Sequence, residues 1–389
     1  MTVTQREAGA SVWEPIPASA AWRPGHPVAR RQFVSIGDVP LEGGGVVPQV
    51  TLAYETWGQL NAARDNAVYV AHALTGDAHA AGGVEPGQPT PGWWNSLIGP
   101  GLPLDPARHF IVCANVLGGC QGSTGPASAH PEDGRPWGSR FPWLSVRDMV
   151  QAELQLMDAL RIDRWRVVIG PSMGGMRAIE WAATHPERVG AIVAMGTTAA
   201  STAEQIAWNT PQAAAILADP KFRGGDYYDA APGDGPHVGL GVARQIAHIT
   251  YRSEQELEAR FGRDAQAPRP ALGPDGLFAV QSYVAHHGEK LARRFDANTY
   301  LRLLHVINSH DVGRGRGGVE AALAHFAGPA LVVAVDSDRL FPLKNSQALS
   351  AALPGSQGVK VVHSEVGHDG FLVESSQFNA FVGEFERGL

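Results

Sequence analysis

A strand, a tight turn and a helix follow one another around a single serine, and this stretch constrains the fold more than any other. The β-branched run at residues 167–169 leads directly into Gly-x-Ser-x-Gly at residues 170–174, and a helical pattern follows. Small neighbours permit the strained backbone that a serine on such a turn adopts. Its hydroxyl would stand beyond the strand end, beside helix N–H groups. We predict that Ser172 is a nucleophile; the alternative is a connection with an idle serine.

Apolar runs alternate with helical patterns on both sides of this turn. Strands that are apolar on both faces are typical of a buried parallel sheet. Two alternating stretches, 32–36 and 50–57, are separated by a glycine-rich turn and predict an antiparallel pair at a sheet edge. The order of strands and helices predicts a doubly wound α/β architecture. The predicted core strands are residues 67–76, which run into a loop, 109–115, 167–169, 189–195, 329–335 and 359–362, with helices beginning at Ser145, after the serine turn and at Gln377.

The pattern changes to helices and turns from about Thr197 to Ala321. The simplest interpretation is one α/β domain, a mostly parallel central sheet flanked by helices, interrupted by an all-helical cap over the strand ends. Together with the serine turn, this arrangement resembles the α/β-hydrolase fold. We expect a loose N-terminal arm at 1–30, core at 31–196, cap at 197–324 and core again at 325–389. The predicted cap helices are residues 200–218, 240–252, 253–261, 278–295 and 297–305.

Composition excludes several classes of protein. The net charge of −7 lacks the basic surplus of a nucleic-acid binder. Two cysteines make no disulfide framework, and no His, Cys or carboxylate cluster has metal-ligand spacing, so we expect no metal. The first twenty residues lack the pattern of a signal peptide, and the most apolar run, 189–195, is too short to span a bilayer. We therefore expect a cytoplasmic protein with no membrane partner.

A nucleophilic serine needs a base and a carboxylate that orients the base, and in α/β hydrolases they follow in the order Ser, Asp, His. Asp338 comes directly after the predicted strand at 329–335, and His368 after the last one. Asp336 competes for the acid role, but Asp338 has the preferred position a few residues before a proline. The expected oxyanion donors are backbone N–H groups of Met173 and of Leu74, which lies in the loop after an early strand.

Several motifs together make the chain similar to the homoserine O-acetyltransferase family, from about residue 30 to the end. The resemblance implies a two-step transfer of the acetyl group of acetyl-CoA through an acyl-serine to the hydroxyl of L-homoserine, in methionine biosynthesis. It implies acetyl-CoA as a substrate rather than a tightly bound cofactor, and a homodimer built through the cap. The motifs are His-Ala-Leu-Thr-Gly-Asp at 72–77, the glycine-rich loop 118–126, the serine turn 170–175, and residues 240–244, 250–252, 309–311 and 367–372.

The family pattern also implies two groups that bind the substrate. A cap arginine, Arg244, would bind the carboxylate of homoserine, and Asp369 would bind its ammonium group. Tyr251, seven residues after Arg244, is a weaker candidate. From the sequence alone Arg244 could equally be a solvated residue of an amphipathic helix. Arg314 and Arg316, in a glycine-rich loop, are either surface residues or contacts for CoA phosphates.

Four alternatives stay open at this point. Succinyl-CoA could replace acetyl-CoA, or L-serine could replace homoserine, with the same triad. Water could be the acceptor, which would make the protein a serine esterase. A non-catalytic binding protein of the same fold is disfavoured because Ser172, Asp338 and His368 are all present.

Overall fold

The computed structural model describes residues 14–389 and contains one eight-stranded sheet in the order β1-β2-β4-β3-β5-β6-β7-β8. β1 and β2 form an antiparallel pair at one edge, as the alternating sequence predicts, and β2 also runs antiparallel to β4. All other neighbouring strands are parallel. The strands are β1 (Gln32–Pro40), β2 (Val46–Trp57), β3 (Ala67–Val70), β4 (Phe110–Ala114), β5 (Trp165–Pro171), β6 (Val189–Met195), β7 (Ala330–Val335) and β8 (Ser356–Val362).

Buried apolar side chains cover both faces of the central strands, which explains their nearly unbroken apolar sequence. Along β3, Tyr69 belongs to the core on one face, whereas Val68 and Val70 belong to the core on the other. The first core includes residues of two helices, Met149 of α1 (Val146–Ala159) and Ile179 of α2 (Met173–Thr184). The predicted α/β-hydrolase architecture is confirmed.

Helix α1 begins where its sequence predicts, because Ser145 and Asp148 cap each other's backbone N–H groups. Six helices, from α3 to α8, follow β6 in the chain before β7 begins. Three others follow β7, and one of them, α11, covers the second core. These helices are α3 (Ala203–Leu217), α4 (His237–Tyr251), α5 (Glu254–Phe261), α6 (Ala279–Ala292), α7 (Ala297–Asn308), α8 (Val319–Leu323), α9 (Leu343–Ala352), α10 (Gly370–Val373) and α11 (Ser375–Arg387).

The inserted helices pack mainly against one another. α4 lies between α3 and α6, and α3 also contacts α7. Arg302 of α7 donates hydrogen bonds to the carbonyls of Phe141 and Ser139, which precede α1, and so ties the helices to the sheet region. We infer from this packing that residues 197–324 form a cap, with the boundaries expected from the sequence.

The expectation of a loose N-terminal arm is wrong for the described part of that arm. Ala21 is buried, and Ser19 donates a hydrogen bond of 2.7 Å to Asp296. The backbone N–H of Trp22 donates to the carbonyl of Cys120, and its ring lies 4.8 Å from that of Phe33. This segment shows no hydrophobic periodicity in its sequence, and individual hydrogen bonds and ring contacts hold it in place. Such contacts cannot be predicted from periodicity. The beginning of the arm lies outside the described residues.

Between residues 14 and 389, none of the helices combines the length and the apolar character that crossing a membrane requires.

Candidate active site

Ser172 occupies a strained backbone conformation between β5 and α2, with φ 54° and ψ −120°. Both glycines of the motif are required by close packing: a Cβ on Gly174 would lie 1.9 Å from the carbonyl oxygen of Ala71, and one on Gly170 would lie 2.4 Å from Gly174. The N–H of Ser172 donates to Met195 of the adjacent strand at 2.8 Å. The turn is therefore fixed from both sides, as a nucleophile on this kind of turn requires.

Asp338 and His368 form a buried pair at the carboxyl end of the sheet. The distance between Asp338 Oδ2 and His368 Nδ1 is 2.6 Å, and the other carboxylate oxygen accepts the N–H groups of Leu340 and Phe341. Each of the two residues is 4% exposed. The carboxylate thus fixes the ring and directs Nε2 away from itself, which is what a general base needs.

The surroundings of His368 set its proton affinity. Burial by itself would lower the pKa of His368, but the charge and the hydrogen bond of Asp338, together with the charge of Asp369, raise that pKa above its ordinary value. The competing acid, Asp336, instead contacts the exposed His363 at 2.9 Å. The structure therefore brings Asp338, and not Asp336, to the histidine.

Ser172 and Tyr251 both contribute to the wall of a cavity of about 30 Å³. The Tyr251 ring lies 5.6 Å from that of His368. Within residues 14–389, neither Ser172 Oγ nor His368 Nε2 has a hydrogen-bond partner. Gly196 follows Met195, and a Cβ on this glycine would lie 3.3 Å from the His368 ring. The absence of a side chain at residue 196 therefore leaves room for the His368 ring.

Backbone N–H groups without acceptors lie beside the serine. Met173 is the first residue of α2, where N–H groups have no partner within the helix. Leu74 lines the same cavity as Ser172, and its N–H donates to no atom of the described chain. Both predicted oxyanion donors therefore lie near Ser172: Met173 follows it in the chain, and Leu74 lines the same cavity.

The two predicted substrate-binding groups both lie near Tyr251. Arg244 places its guanidinium carbon 5.1 Å from the centre of the Tyr251 ring, and its Nη1 is buried without a partner. Asp369, next to His368 in the chain, contacts Arg252 Nη2 at 3.2 Å. The cap thus places a cation with one unpartnered nitrogen, and the last loop a paired carboxylate, near Tyr251.

Polar side chains of α3 that the sequence analysis missed also line the cavity. Gln205, Asn209 and Gln212 stand at i, i+4 and i+7, a polar stripe on a helix otherwise rich in alanine and isoleucine. This polar stripe is the sequence signal from which these cavity residues could have been predicted. The remaining lining residues came from three separated segments, so no local pattern could join them; they are Thr250, Ile307, Leu340 and Phe341.

The arginines of the loop at 313–318 are already engaged. Arg314 contacts Glu42 at 2.7 Å, and Arg316 contacts Glu180 at 2.7 Å. Of the two interpretations left open by the sequence, the structure favours arginines that fasten the loop to the core over contacts for CoA phosphates. In the described part of the chain, no group of three or more His, Cys, Asp or Glu residues could hold a metal ion.

Larger depressions occur elsewhere on the surface. One of about 730 Å³ includes Trp165 and Gly190, at the amino ends of β5 and β6. It lies at the opposite end of the strands from Ser172. Ligands of open α/β sheets bind at the carboxyl ends, so the small cavity at Ser172 is the candidate site.

Comparison with known proteins agrees with this geometry. Residues 66–375 match a family model described as alpha/beta hydrolase fold. A homoserine O-acetyltransferase of Thermobifida fusca is 55% identical over 372 residues, which cover 95% of this chain and 97% of that protein. The chain belongs to the homoserine O-acetyltransferase family.

Solved structures of both homoserine O-acetyltransferases and esterases are similar to this fold. A homoserine O-acetyltransferase from Bacillus anthracis superimposes with a TM-score of 0.84 at 26% identity, covering 92% of this chain and 97% of the other. A structure of esterase E22 gives a TM-score of 0.83 at 25% identity, covering 92% and 99%. Since transferase and esterase share the fold, the residues around the triad have to distinguish the two reactions.

Proposed function

We propose that this protein is a homoserine O-acetyltransferase, which transfers the acetyl group of acetyl-CoA to the hydroxyl of L-homoserine and forms O-acetyl-L-homoserine and CoA. The observation that carries the proposal is the buried, unpartnered Nη1 of Arg244, whose guanidinium lies over Tyr251 in the wall of the Ser172 cavity. A buried guanidinium nitrogen without an acceptor is costly, and a carboxylate of the acceptor substrate would satisfy it. Water, the acceptor of an esterase, would not need this group.

The first half of the reaction acylates the serine. His368 Nε2 takes the proton of Ser172 Oγ, which attacks the thioester carbonyl of acetyl-CoA. The N–H groups of Met173 and Leu74 stabilise the tetrahedral oxyanion. When the intermediate collapses, the carbon–sulfur bond breaks, the sulfur receives the proton from His368 and CoA leaves. The acetyl group is then an ester of Ser172.

The second half transfers the acetyl group to homoserine. Arg244 binds the carboxylate of homoserine, and Asp369 binds the ammonium group beside His368. His368 takes the proton of the homoserine hydroxyl, which attacks the acyl-serine. Collapse of the second tetrahedral intermediate breaks the ester bond to Ser172 and returns the proton to its oxygen. Tyr251, between Arg244 and His368, packs against the carbon chain of the acceptor.

The cavity at the serine supports acetyl over succinyl as the transferred group. Its volume of about 30 Å³ suits a group of methyl size, and none of its lining residues is cationic. A succinyl group would add two methylenes and a carboxylate, and burying a carboxylate without a partner is strongly unfavourable. Acetyl-CoA enters as a diffusible substrate, and the protein works in the cytoplasm without a tightly bound cofactor.

The cap supports a homodimer. Helices α3 and α4 expose large apolar side chains in a region that no other part of the described chain covers. Such a surface is typical of an interface between subunits. Sedimentation equilibrium should give twice the chain mass of 41.3 kDa. The exposed residues are Ile206, Trp208, Leu217, Val238, Val242 and Ile249.

The release of CoA tests the proposed reaction directly. With acetyl-CoA alone we expect at most one equivalent of CoA per active site, and with homoserine continuous turnover that yields O-acetylhomoserine by mass spectrometry. Succinyl-CoA and L-serine in the same assay should give rates lower by at least about tenfold. Steady CoA release that ignores homoserine would identify an esterase and overturn the proposal.

Replacement of Arg244 tests the acceptor site. Arg244→Met should raise the KM for homoserine by about 10- to 100-fold, because a charge-assisted bond to a carboxylate contributes about 1.5–3 kcal/mol. The single-turnover burst of CoA, which needs no homoserine, should stay within about twofold of the wild type. Arg260→Met is the matched control, since Arg260 lies in the cap but pairs with Glu256 on the surface. An unchanged KM in R244M would remove Arg244 from the site.

A further inference from the structure

Two consecutive peptide groups near Ser172, His72–Ala73 and Ala73–Leu74, have a partner for the carbonyl but, among the described residues, none for the N–H. The N–H groups of Ala73, Leu74 and Thr75 donate no hydrogen bond within residues 14–389. The carbonyls of His72 and Ala73, which belong to the same peptide groups as the N–H groups of Ala73 and Leu74, each accept one from a side chain. The carbonyl of Thr75 accepts one from Arg294, and the N–H of its peptide group, that of Gly76, donates to the Ala73 carbonyl. Because fixed carbonyls fix the peptide planes, the opposite edges of those planes present their N–H groups in a defined direction.

We infer that Arg177 and Arg294 are positioning residues for the oxyanion hole, which hold this loop from two sides and so aim the Leu74 N–H at the acyl oxygen. The inference rests on the proposed function, because it assigns a role within the acyl-transfer step. Neither arginine contacts the reacting atoms in this scheme. Each acts through the carbonyl that it holds.

Arg177 holds the loop from the core. Its Nη2 donates to the carbonyl of His72 at 2.6 Å, and its Nη1 contacts Glu153 Oε1 at 2.6 Å. Arg177 is fully buried, and Trp181 fixes the second oxygen of Glu153 at 2.8 Å. Arg177 also belongs to α2, the helix that begins directly after Ser172. One rigid helix therefore carries the Met173 donor and the clamp for the loop that supplies the other donor.

Arg294 holds the loop from the cap. It lies just after α6, and its Nη1 donates to the carbonyl of Thr75 at 2.9 Å. Its own carbonyl accepts a hydrogen bond from Gln121 of the core. Thr75 directly follows Leu74, so the carbonyls held by Arg177 and Arg294 lie on either side of the donor. The position of the cap is thereby coupled to the geometry of the oxyanion hole.

The ring of His72 completes the arrangement. Its Nε2 accepts the N–H of Val116 at 3.2 Å, so the proton lies on Nδ1 and is donated to the carbonyl of Ala73 at 2.7 Å. Burial, with the charge of Arg177, lowers the pKa of His72 to about 3. The ring is neutral at physiological pH and holds one tautomer. The loop between the two arginines is thus fixed at its middle carbonyl as well.

Replacement of Arg294 tests the inference, because this residue is only partly buried and its loss leaves no partner carboxylate. We expect Arg294→Gln to lower kcat by about 10- to 100-fold, below the 10²- to 10³-fold loss for an oxyanion donor itself. The KM for acetyl-CoA should change less than about threefold, and Arg294→Lys should restore part of kcat. The control is Arg293→Gln, since the neighbouring Arg293 bonds to Glu289 instead of the loop.

A tetrahedral adduct separates positioning from a general structural effect. Phenylboronic acid forms such an adduct on a nucleophilic serine, with an oxygen in the oxyanion hole. Its inhibition constant should rise in R294Q by the same factor by which kcat falls. The variant pair Arg177→Met with Glu153→Gln, which removes the buried charges together, should show the same proportionality.

Two results would overturn the inference. One is a folded R294Q enzyme with the kcat of the wild type. The other is a lower kcat with unchanged affinity for phenylboronic acid, which would assign Arg294 to another step. Both differ from a failure of the proposed function, which appears in the wild type as CoA release that ignores homoserine.

Discussion

The pair Asp338 and His368 predicts how the reaction depends on pH. The neutral imidazole is the base, and Asp338 raises the pKa of His368 above its ordinary value of 6.5. The fraction of neutral base therefore reaches one half above pH 6.5, and the acylation rate should rise with pH through a midpoint above that value. The single-turnover release of CoA, measured between about pH 5 and pH 9, gives this midpoint.

Asp338→Asn should change both the rate and the midpoint. Without the carboxylate, burial remains the largest influence on His368 and lowers its pKa, so the midpoint should fall below 6.5. The rate at the plateau should drop by about 10³- to 10⁴-fold, as expected when the tautomer is no longer fixed. Asp336→Asn is the matched control and should match the wild type. A D338N enzyme with the wild-type midpoint would contradict the assignment.

The backbone of the turn between β5 and α2 is strained because a serine, and not a glycine, occupies it. A residue with a Cβ at φ 54° and ψ −120° costs about 1–3 kcal/mol, whereas glycine adopts this conformation readily. Ser172→Gly should therefore abolish acyl transfer and raise the free energy of unfolding by about 1 kcal/mol, measured by urea denaturation.

Ser172→Ala is the control for that experiment. Alanine removes the hydroxyl but keeps the Cβ, so S172A should be inactive without the gain in stability. Equal unfolding free energies for S172G and S172A would show that the turn is not strained. The comparison separates the cost of the backbone from the loss of the nucleophile.

The cap and the described N-terminal segment are joined through one buried carboxylate. Asp296 is fully buried and accepts hydrogen bonds from Ser19, Tyr227, Tyr228 and the N–H of Thr299, at 2.7 to 3.0 Å. Asp296→Ala should lower the free energy of unfolding by about 3 kcal/mol or more, because several buried donors lose a charged acceptor. Urea denaturation followed by tryptophan fluorescence measures the loss.

Asp229→Ala is the control for this unfolding experiment, since Asp229 also lies in the cap but is exposed. Its unfolding free energy should stay within about 0.5 kcal/mol of the wild type. If D296A were as stable as D229A, the carboxylate would not join the two segments.

The sequence by itself determined the architecture and predicted Ser172 as the nucleophile. Its apolar runs and glycine turns are local patterns, and hydrophobic periodicity reports burial without knowledge of the partner. The order Ser172, Asp338, His368 was also predictable from the sequence, because each residue lies after the end of a strand. Parallel strands bring their carboxyl ends to one edge of the sheet.

Only the tertiary structure decided which groups have partners. Asp336 and Asp338 are two residues apart, and the hydrogen bond to His368 distinguishes them. Arg244 is left with an unpartnered nitrogen, whereas Arg314 and Arg316 are bonded to carboxylates far away in the chain. A hydrogen bond depends on distance and direction between segments, which no local pattern encodes. For the same reason the sequence did not indicate that Arg177 and Arg294 hold the loop around Leu74.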